Sequence, residues 1–350
     1  MRWRSANGRR AKTEDLELES PTEDFPGTEE ELVAEIDRLL EANRSSPSVE
    51  QERMLLHLRN LLGIRVLERP TEDSGFPEPD YSGLESNGSP LAEISPARLT
   101  PGVLRAAILR SGCVLVRGLV DRGRAEDVAR EIDRAFTERG RYEADKSFND
   151  RYYIPFEPDP RRGLTPPRNF IEAGGGVLAI DSPMLSFELG ELFRTVALPE
   201  LVAGYLREQP LVAGDKSTLR KAEPKVSGAW HQDGKFMGEV KALNLWLALS
   251  ACGERAPGLD LVPRRLEHHV ATQTDEAMMP NQVSQRVAEE AAGGLPILRP
   301  AFQPGDALLF DELFLHKTAS DPRMRRPRYA VESWFFGGSG FPENYVPLAL

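Results

Sequence analysis

From residue 210 onward the chain is cut into short apolar or alternating runs, at 217–222, 229–231, 243–249, 258–262, 307–310 and 329–336. Pro224, Gly253, Pro257 and the pair Pro304 and Gly305 separate them. Runs this short are strands rather than helices, and many of them in succession with Gly/Pro punctuation predict a sandwich or small barrel. No internal repeat is visible. The segment before it has another texture. Helical patterns at 101–110 and 122–139 flank an apolar strand at 113–117, with Val128, Ile132 and Phe136 on one face of the second helix. Further helical patterns occupy 184–195 and 198–207, whereas 140–180 is rich in Pro, Gly and Arg, has no clear period and predicts long loops. The fold class expected is mainly β with flanking helices.

The N-terminal part lies outside that pattern. Residues 1–27 are polar and charged, with Pro21 and Pro26, and predict a disordered acidic arm. Thr28 and Glu31 have capping-box spacing, and Leu32, Val33, Ile36, Leu39 and Leu40 then recur at helical period. A second helix is expected from Ser48, carrying Met54, Leu55, Leu58, Leu61 and Leu62, with Gly63 as its C-cap. Residues 28–66 thus predict a helical hairpin whose apolar seam packs on the main domain or serves self-association or a partner. The Pro-, Gly-, Ser- and acid-rich stretch 67–96 reads as a linker, and the main domain as 97–350. The net charge of −11 is concentrated in 13–50, with two basic against thirteen acidic residues, and the remainder sums to zero. A nucleic-acid surface would need a clustered basic excess, which is missing. No apolar run reaches the length of a bilayer span. MRWRSANGRR is followed by acidic residues, unlike a signal peptide, and two cysteines make no disulfide framework. A cytoplasmic protein with no membrane or nucleic-acid partner is expected.

There are five histidines. His231 stands in Trp230-His231-Gln232-Asp233-Gly234, after a candidate strand. On an extended chain residues i and i+2 project to one side, so imidazole and carboxylate can converge on one ion. Alone, such a pair arises readily by chance. Farther on, Pro304 to Asp311 reads as a turn into a strand and delivers His316 near another strand end, with Arg326 and Arg328 behind it. Two His and one carboxylate form a facial triad, which leaves three adjacent positions open on Fe(II). With one carboxylate the ion keeps a net positive charge suited to a chelating 2-oxo acid and O2. The far carboxylate of that acid needs a fixed cation, for which arginine has bidentate geometry.

The ordered set WHQDG (230–234), ALNLWLALS (242–250), GLDLVP (258–263), GDALLFDELFLH (305–316) and RYAVESWFF (328–336) resembles the phytanoyl-CoA dioxygenase-like family of Fe(II)/2-oxoglutarate-dependent oxygenases. The strand CVLVRG and the helix after it (113–139) are similar to that family's opening. The resemblance implies a double-stranded β-helix (jelly-roll, cupin-like) core and Fe(II), 2-oxoglutarate and O2 as cofactor and cosubstrates. It implies His231, Asp233 and His316 as iron ligands, and Arg328 as the partner of the distal carboxylate of 2-oxoglutarate, with Arg326 as rival. Thr318 matches a hydroxyl that contacts the cosubstrate, Trp246 a pocket-lining tryptophan, and Asn244 shares the strand face of Trp246. Asp233 favours hydroxylation over halogenation, since related halogenases carry a small residue there. The family's proline-glycine-serine-histidine turn is replaced by Pro263-Arg264-Arg265-Leu266-Glu267-His268-His269, which leaves the family's familiar substrates unsupported.

Other candidates read more plainly. His268 and His269 suit an exposed loop better than a second metal site. Arg161, Arg162 and Arg168 invite an anionic substrate, but acids nearly balance the charge of 141–168. Gly174 to Gly176 follows no strand and suits a lid hinge better than a phosphate cradle. Cys113 and Cys252 lack a neighbouring base. The function expected is a dioxygenase hydroxylating a small-molecule, lipid-like or natural-product substrate with release of succinate and CO2. The alternatives are a noncatalytic jelly-roll binding protein and a cupin-type metalloenzyme that does not use 2-oxoglutarate.

Overall fold

The computed structural model describes residues 25–69, 72–84, 88–162, 164–224, 227–238 and 240–350. The expected acidic arm lies outside these residues except at its end, where Arg65 donates to the carbonyls of Phe25 (2.6 Å) and Gly27 (3.0 Å) and so pins residues expected to be disordered.

Helix α1 (Glu29–Ser45) begins with the expected capping box: Glu31 N donates to Thr28 Oγ1 (3.3 Å) and Thr28 N to Glu31 Oε2 (2.7 Å). Helix α2 (Val49–Leu67) is capped by Ser48 and runs past Gly63. That glycine is therefore no C-cap. A Cβ there would lie 2.7 Å from the Pro347 carbonyl oxygen, so its role is to admit the C-terminal strand to the helix surface. The seam of the hairpin, including Leu32, Leu39, Leu58 and Leu62, closes over Leu211 and Ala349 of the main domain.

Among the described residues the principal sheet is mixed and nine-stranded. Strand β1 (Ala92–Ile94), within the expected linker, pairs parallel with β2 (Cys113–Val116). Between them lies α3 (Pro101–Ser111), which starts at Thr100 with Pro101 at its first position and ends at Gly112 (φ 80°). The long α4 (Arg122–Ala144) follows β2, and α5 (Arg168–Ala173) precedes β3 (Gly176–Leu178). Then come α6 (Pro183–Thr195), α7 (Leu198–Leu206), β4 (Leu211–Ala213), β5 (Thr218–Ala222), the one-turn α8 (Gly234–Met237) and β6 (Ala242–Ala248). The chain ends through β7 (Gly258–Leu261), α9 (Gln285–Ala292), β8 (Ala307–Phe310), β9 (His316–Ala319), β10 (Arg328–Phe336) and β11 (Pro347–Ala349). Across the sheet the order is β1-β2-β8-β6-β10-β4-β11; β5 lies beside the first half of β10, with β3 beyond it. Strands β7 and β9 form a separate antiparallel pair.

Side-chain alternation explains the layering. Leu243, Leu245 and Leu247 of β6, Leu309 of β8 and Val331 and Phe335 of β10 join Leu104, Ile132, Leu189 and Val202 of the helices in one core. The intervening residues Trp246, Leu308, Phe310, Ala330, Trp334 and Phe336 face the other way and pack with Leu259 and Leu261 of β7. The mainly β expectation therefore gives way to a mixed α/β architecture, because helices cover the outer face of the large sheet. Within 229–231 only Trp230 and His231 pair, through isolated bridges, and α9, between its capping Ser284 and the left-handed Gly293, is a helix that the expectations above do not include.

Candidate metal centre

The space between the large sheet and the β7–β9 pair is where the chemistry-bearing residues meet. His231 and His316 stand opposite one another in an antiparallel bridge. His231 N donates to His316 O (3.0 Å) and His316 N to His231 O (3.2 Å), and the rings lie 4.5 Å apart. Each imidazole is oriented from its own backbone, with His231 Nδ1 2.8 Å from Ala229 O and His316 Nδ1 3.2 Å from Phe314 O. A carbonyl can only accept, so both Nδ1 atoms carry hydrogen and both Nε2 lone pairs remain for a ligand.

Asp233 reaches the pair by another route than the extended chain expected. It has helical dihedrals (φ −65°, ψ −28°) at the start of α8, and the turn swings its carboxylate back toward the histidines. Asp233 Oδ1 is 3.4 Å from His231 Nε2, and Oδ2 is 3.9 Å from His316 Nε2. The donor atoms of the three residues all lie within 4.8 Å of one another. Bonds of ~2.1 Å meeting at right angles place donors ~3 Å apart, so the constellation fits one ion after small rotations. Gly234 lets this turn pack closely against its neighbours. A Cβ there would meet His269 Nε2 at 2.5 Å and Glu312 O at 3.0 Å.

Burial first, and then the neighbouring His231, push the His316 imidazole down to about 4. It is neutral at pH 7, the ligating form. Phe310 and Phe314 flank its ring, the latter stacked at 13°. Gln232, a residue the motif reading passes over, is fully buried between the two ligands in sequence. Its Nε2 donates to Leu313 O (2.6 Å) and His268 O (3.3 Å), and its Oε1 accepts from Val270 N (2.8 Å). It thereby ties the His231–Asp233 turn to the loop before His316. These partners are remote in sequence, which is why no local signal reveals them.

At the other end of the same space, Arg328 is 1% exposed at the start of β10. Its guanidinium lies 5.3 Å from the Trp246 ring centroid and Nη1 donates to Gly258 O (3.3 Å), while Nε has no partner among the described residues. Desolvation pulls its pKa down from the ordinary arginine range. Trp246 Nε1 and Asn244 Oδ1 are likewise buried without partners. Both residues are on the inner face of β6, where Trp246 pairs with Glu332 and Asn244 with Trp334. Thr318 shares the His316 side of β9 by alternation and pairs across to Leu259. Arg326 is exposed in the turn before β10, with its backbone N bonded to Arg255 O, and does not join this group. An ion pair not anticipated from sequence, Arg220 Nε to Glu332 Oε2 (3.2 Å), lies on the wall between the triad and Arg328. Burial pushes the Glu332 carboxyl up, but Arg220 and Arg328 outweigh it and hold the group below its usual value.

The remaining candidates are structural. Arg168 is committed to Asp181 through two bonds of 2.8 Å. The glycine run is bound to β5, with Arg220 Nη1 donating to Gly174 O (2.9 Å) and Lys221 N to Gly175 O (2.9 Å), so it is neither cradle nor free hinge. Both cysteines are free and buried, and burial pushes the thiol pKa of each up, to about 12 for Cys252. No helix among the described residues is long and apolar enough to cross a membrane.

Residues with this arrangement can hold a divalent cation on two neutral imidazoles and a carboxylate, with a buried cation facing it across the same space. No protein-family model matches the chain, and no curated protein matches it. Among solved structures it is similar to EctD from S. alaskensis with 2-oxoglutarate and 5-hydroxyectoine, at 16% identity and TM-score 0.46, over 78% of this chain and 86% of that one. It is also similar to the epimerase SnoN in complex with Fe3+, alpha ketoglutarate and nogalamycin RO, at 19% identity and TM-score 0.45, over 71% of this chain and 88% of that one.

Proposed function

We propose that the protein is an Fe(II)- and 2-oxoglutarate-dependent dioxygenase of the phytanoyl-CoA dioxygenase-like kind, built on a double-stranded β-helix and hydroxylating a small molecule. One oxygen atom of O2 would enter the product and the other succinate, with release of CO2. The observation that carries this reading is the pairing of two features in one space. The His231, Asp233 and His316 donors converge, and beyond them a buried guanidinium sits among orphaned polar atoms.

The residues fit these groups. His231, Asp233 and His316 would hold iron, which when bound supplies the oxygen-activating redox chemistry. The backbone-bonded Nδ1 atoms of the two histidines hold the Nε2 lone pairs inward. Arg328 and Thr318 would receive the distal carboxylate of 2-oxoglutarate, meeting the unpaired Nε, with Trp246 and Asn244 as polar neighbours in the wall. Phe310, Phe314 and Trp334 exclude water from the ligands. The paired carboxylate and guanidinium of Glu332 and Arg220 keep the adjoining wall polar without adding net charge. In this reading residues 28–66 brace the domain edge instead of docking a partner, and two reduced, buried cysteines suit a cytoplasmic setting.

The test is anaerobic titration of Fe(II)-loaded protein with 2-oxoglutarate, read by the weak visible charge-transfer band of the chelate, beside Arg328→Ala and Asp233→Ala. The expected result is a band in wild type that weakens or vanishes in both variants. Bound iron without a band would favour a cupin-type metalloenzyme that does not use 2-oxoglutarate, and failure to bind iron would favour a noncatalytic binding protein.

A further inference from the structure

Lys216 stands in the short turn between β4 and β5, half-buried, beside the metal centre. Its ammonium lies 5.1 Å from the ring centroid of Phe236, on the helical turn that starts directly after Asp233, and 4.9 Å from that of Tyr345. Among the described residues it makes no ion pair and no hydrogen bond. The nearest acid in sequence, Asp215, accepts instead from Val346 N (2.9 Å) and is buried toward the C-terminal strand. Aromatic faces partly compensate an ammonium, at about 0.5–2 kcal/mol, but offer nothing to its three N–H donors. Burial pulls the pKa of Lys216 down; the Asp215 and Asp233 carboxylates oppose this, and the Arg220 cation adds to it. The side chain is thus within electrostatic reach of the metal ligand Asp233 and of the Arg220–Glu332 pair.

The groups around it leave its donors over. On the functional reading above, a divalent ion, Asp233, doubly charged 2-oxoglutarate and Arg328 sum to zero, and Arg220 and Glu332 cancel. The Asp215 carboxylate offsets the Lys216 charge but accepts from Val346 N, so the ammonium remains beside the centre with its donors unused, and donors held against protein are costly unless a ligand meets them. We infer that Lys216 is the anchor for the primary substrate, a small organic molecule bearing one carboxylate or comparable oxyanion, which it holds against Phe236 and Tyr345 beside the metal. This rests on the metal reading, and the test separates the two.

Trifluoroacetate is the probe, with trifluoroethanol as its uncharged counterpart, in protein loaded with Mn(II) and saturated with 2-oxoglutarate. Mn(II) binding is followed independently by its EPR signal. The 19F relaxation of trifluoroacetate is expected to be enhanced well beyond that of trifluoroethanol, because the anion resides near the paramagnetic ion. Lys216→Met, with Lys216→Gln as a second variant should methionine disturb the packing, is expected to lower trifluoroacetate affinity roughly tenfold or more, the loss of one charge-assisted bond. Lys216→Arg retains binding, and Mn(II) affinity stays unchanged throughout. Equal relaxation of the two probes, or an enhancement that survives in both neutral variants, would overturn the assignment of Lys216. Failure of Mn(II) to bind would strike the metal reading instead. The anion site is then decided without metal by 19F saturation transfer between protein and trifluoroacetate in wild type and Lys216→Met.

Discussion

Replacing Arg328 with methionine separates what the fold needs from what the site needs. The guanidinium is almost wholly removed from water, donates one long bond of 3.3 Å to Gly258 O, and leaves Nε unpaired. An orphaned buried donor costs about 1–3 kcal/mol, and the uncompensated part of a buried charge adds to it. The Trp246 face returns about 1–2 kcal/mol, and Glu332, paired with Arg220, returns less than a private counter-ion would. Methionine matches the length and apolar stem and removes the charge, so the ligand-free protein is expected to gain about 1–3 kcal/mol of stability. Binding of 2-oxoglutarate should move the other way. Loss of a buried charge-assisted pair costs about 2–5 kcal/mol, or roughly 30- to several thousand-fold in affinity. The assay is denaturant unfolding of both proteins without and with saturating 2-oxoglutarate and a divalent metal, beside the chelate titration. Wild type should be stabilised by the ligand and the variant not. A variant less stable than wild type in the absence of ligand would refute the reasoning, because it would show that the fold itself satisfies the guanidinium.

Gln232→Leu removes the clamp between the ligand turn and residues 268–313, stranding Leu313 O and Val270 N. It should lower metal affinity about 10–100-fold, measured by metal titration, while Gln232→Glu recovers little, having no amide donor. In the metal-free protein, His316 has a folded pKa of about 4 against 6.5 unfolded, so the unfolded chain binds the proton more readily. Its contribution is present above pH ~6.5 and lost as pH falls toward ~4, on the order of 3 kcal/mol, and His316→Gln should flatten that limb of the stability–pH curve. Gly63→Ala drives a Cβ against the Pro347 carbonyl. A net loss of about 1–2 kcal/mol is expected from overpacking less the helix-propensity gain, read by denaturant unfolding with unchanged metal affinity.

What could be read from the sequence follows from how far each signal extends along the chain. β6, β8 and β10 announce themselves because both of their faces are largely covered, so β8 is wholly apolar and the other two are mostly so, broken by Asn244 in β6 and by Arg328, Glu332 and Ser333 in β10. β1, β3, β4 and β11 are three residues long, too short to display any alternation. β9 is hidden by its polar composition, since His316, Lys317 and Thr318 face a site and a charged rim instead of a core. The triad was legible as a set, whereas its geometry was not: the Asp233 carboxylate arrives by a helical turn, and the strand argument for i and i+2 does not hold there. Arg326 and Arg328 have the same alternation phase, so periodicity could not choose between them. The two differ where the turn ends, with Arg328 the buried first residue of β10 and Arg326 still in solvent. Lys216 and Arg220 lie in no motif, Gln232 and Glu332 lie within motifs that assign them no role, and only the meeting of distant segments gives all four a setting.

The peptide bridge between His231 and His316 has a consequence for how a metal would be chosen. Two imidazoles on flexible side chains can follow any ion's preferred spacing at little expense. Here their backbones are fastened to one another by two hydrogen bonds and each ring is tethered to its own chain. An ion of the wrong size must therefore distort a ladder, while one that suits it meets a gauge already set at folding. Selectivity would reside in the stiffness of main-chain pairing as much as in the softness of the donors, and Asp233, on its single helical turn, would be the ligand that lies outside the ladder.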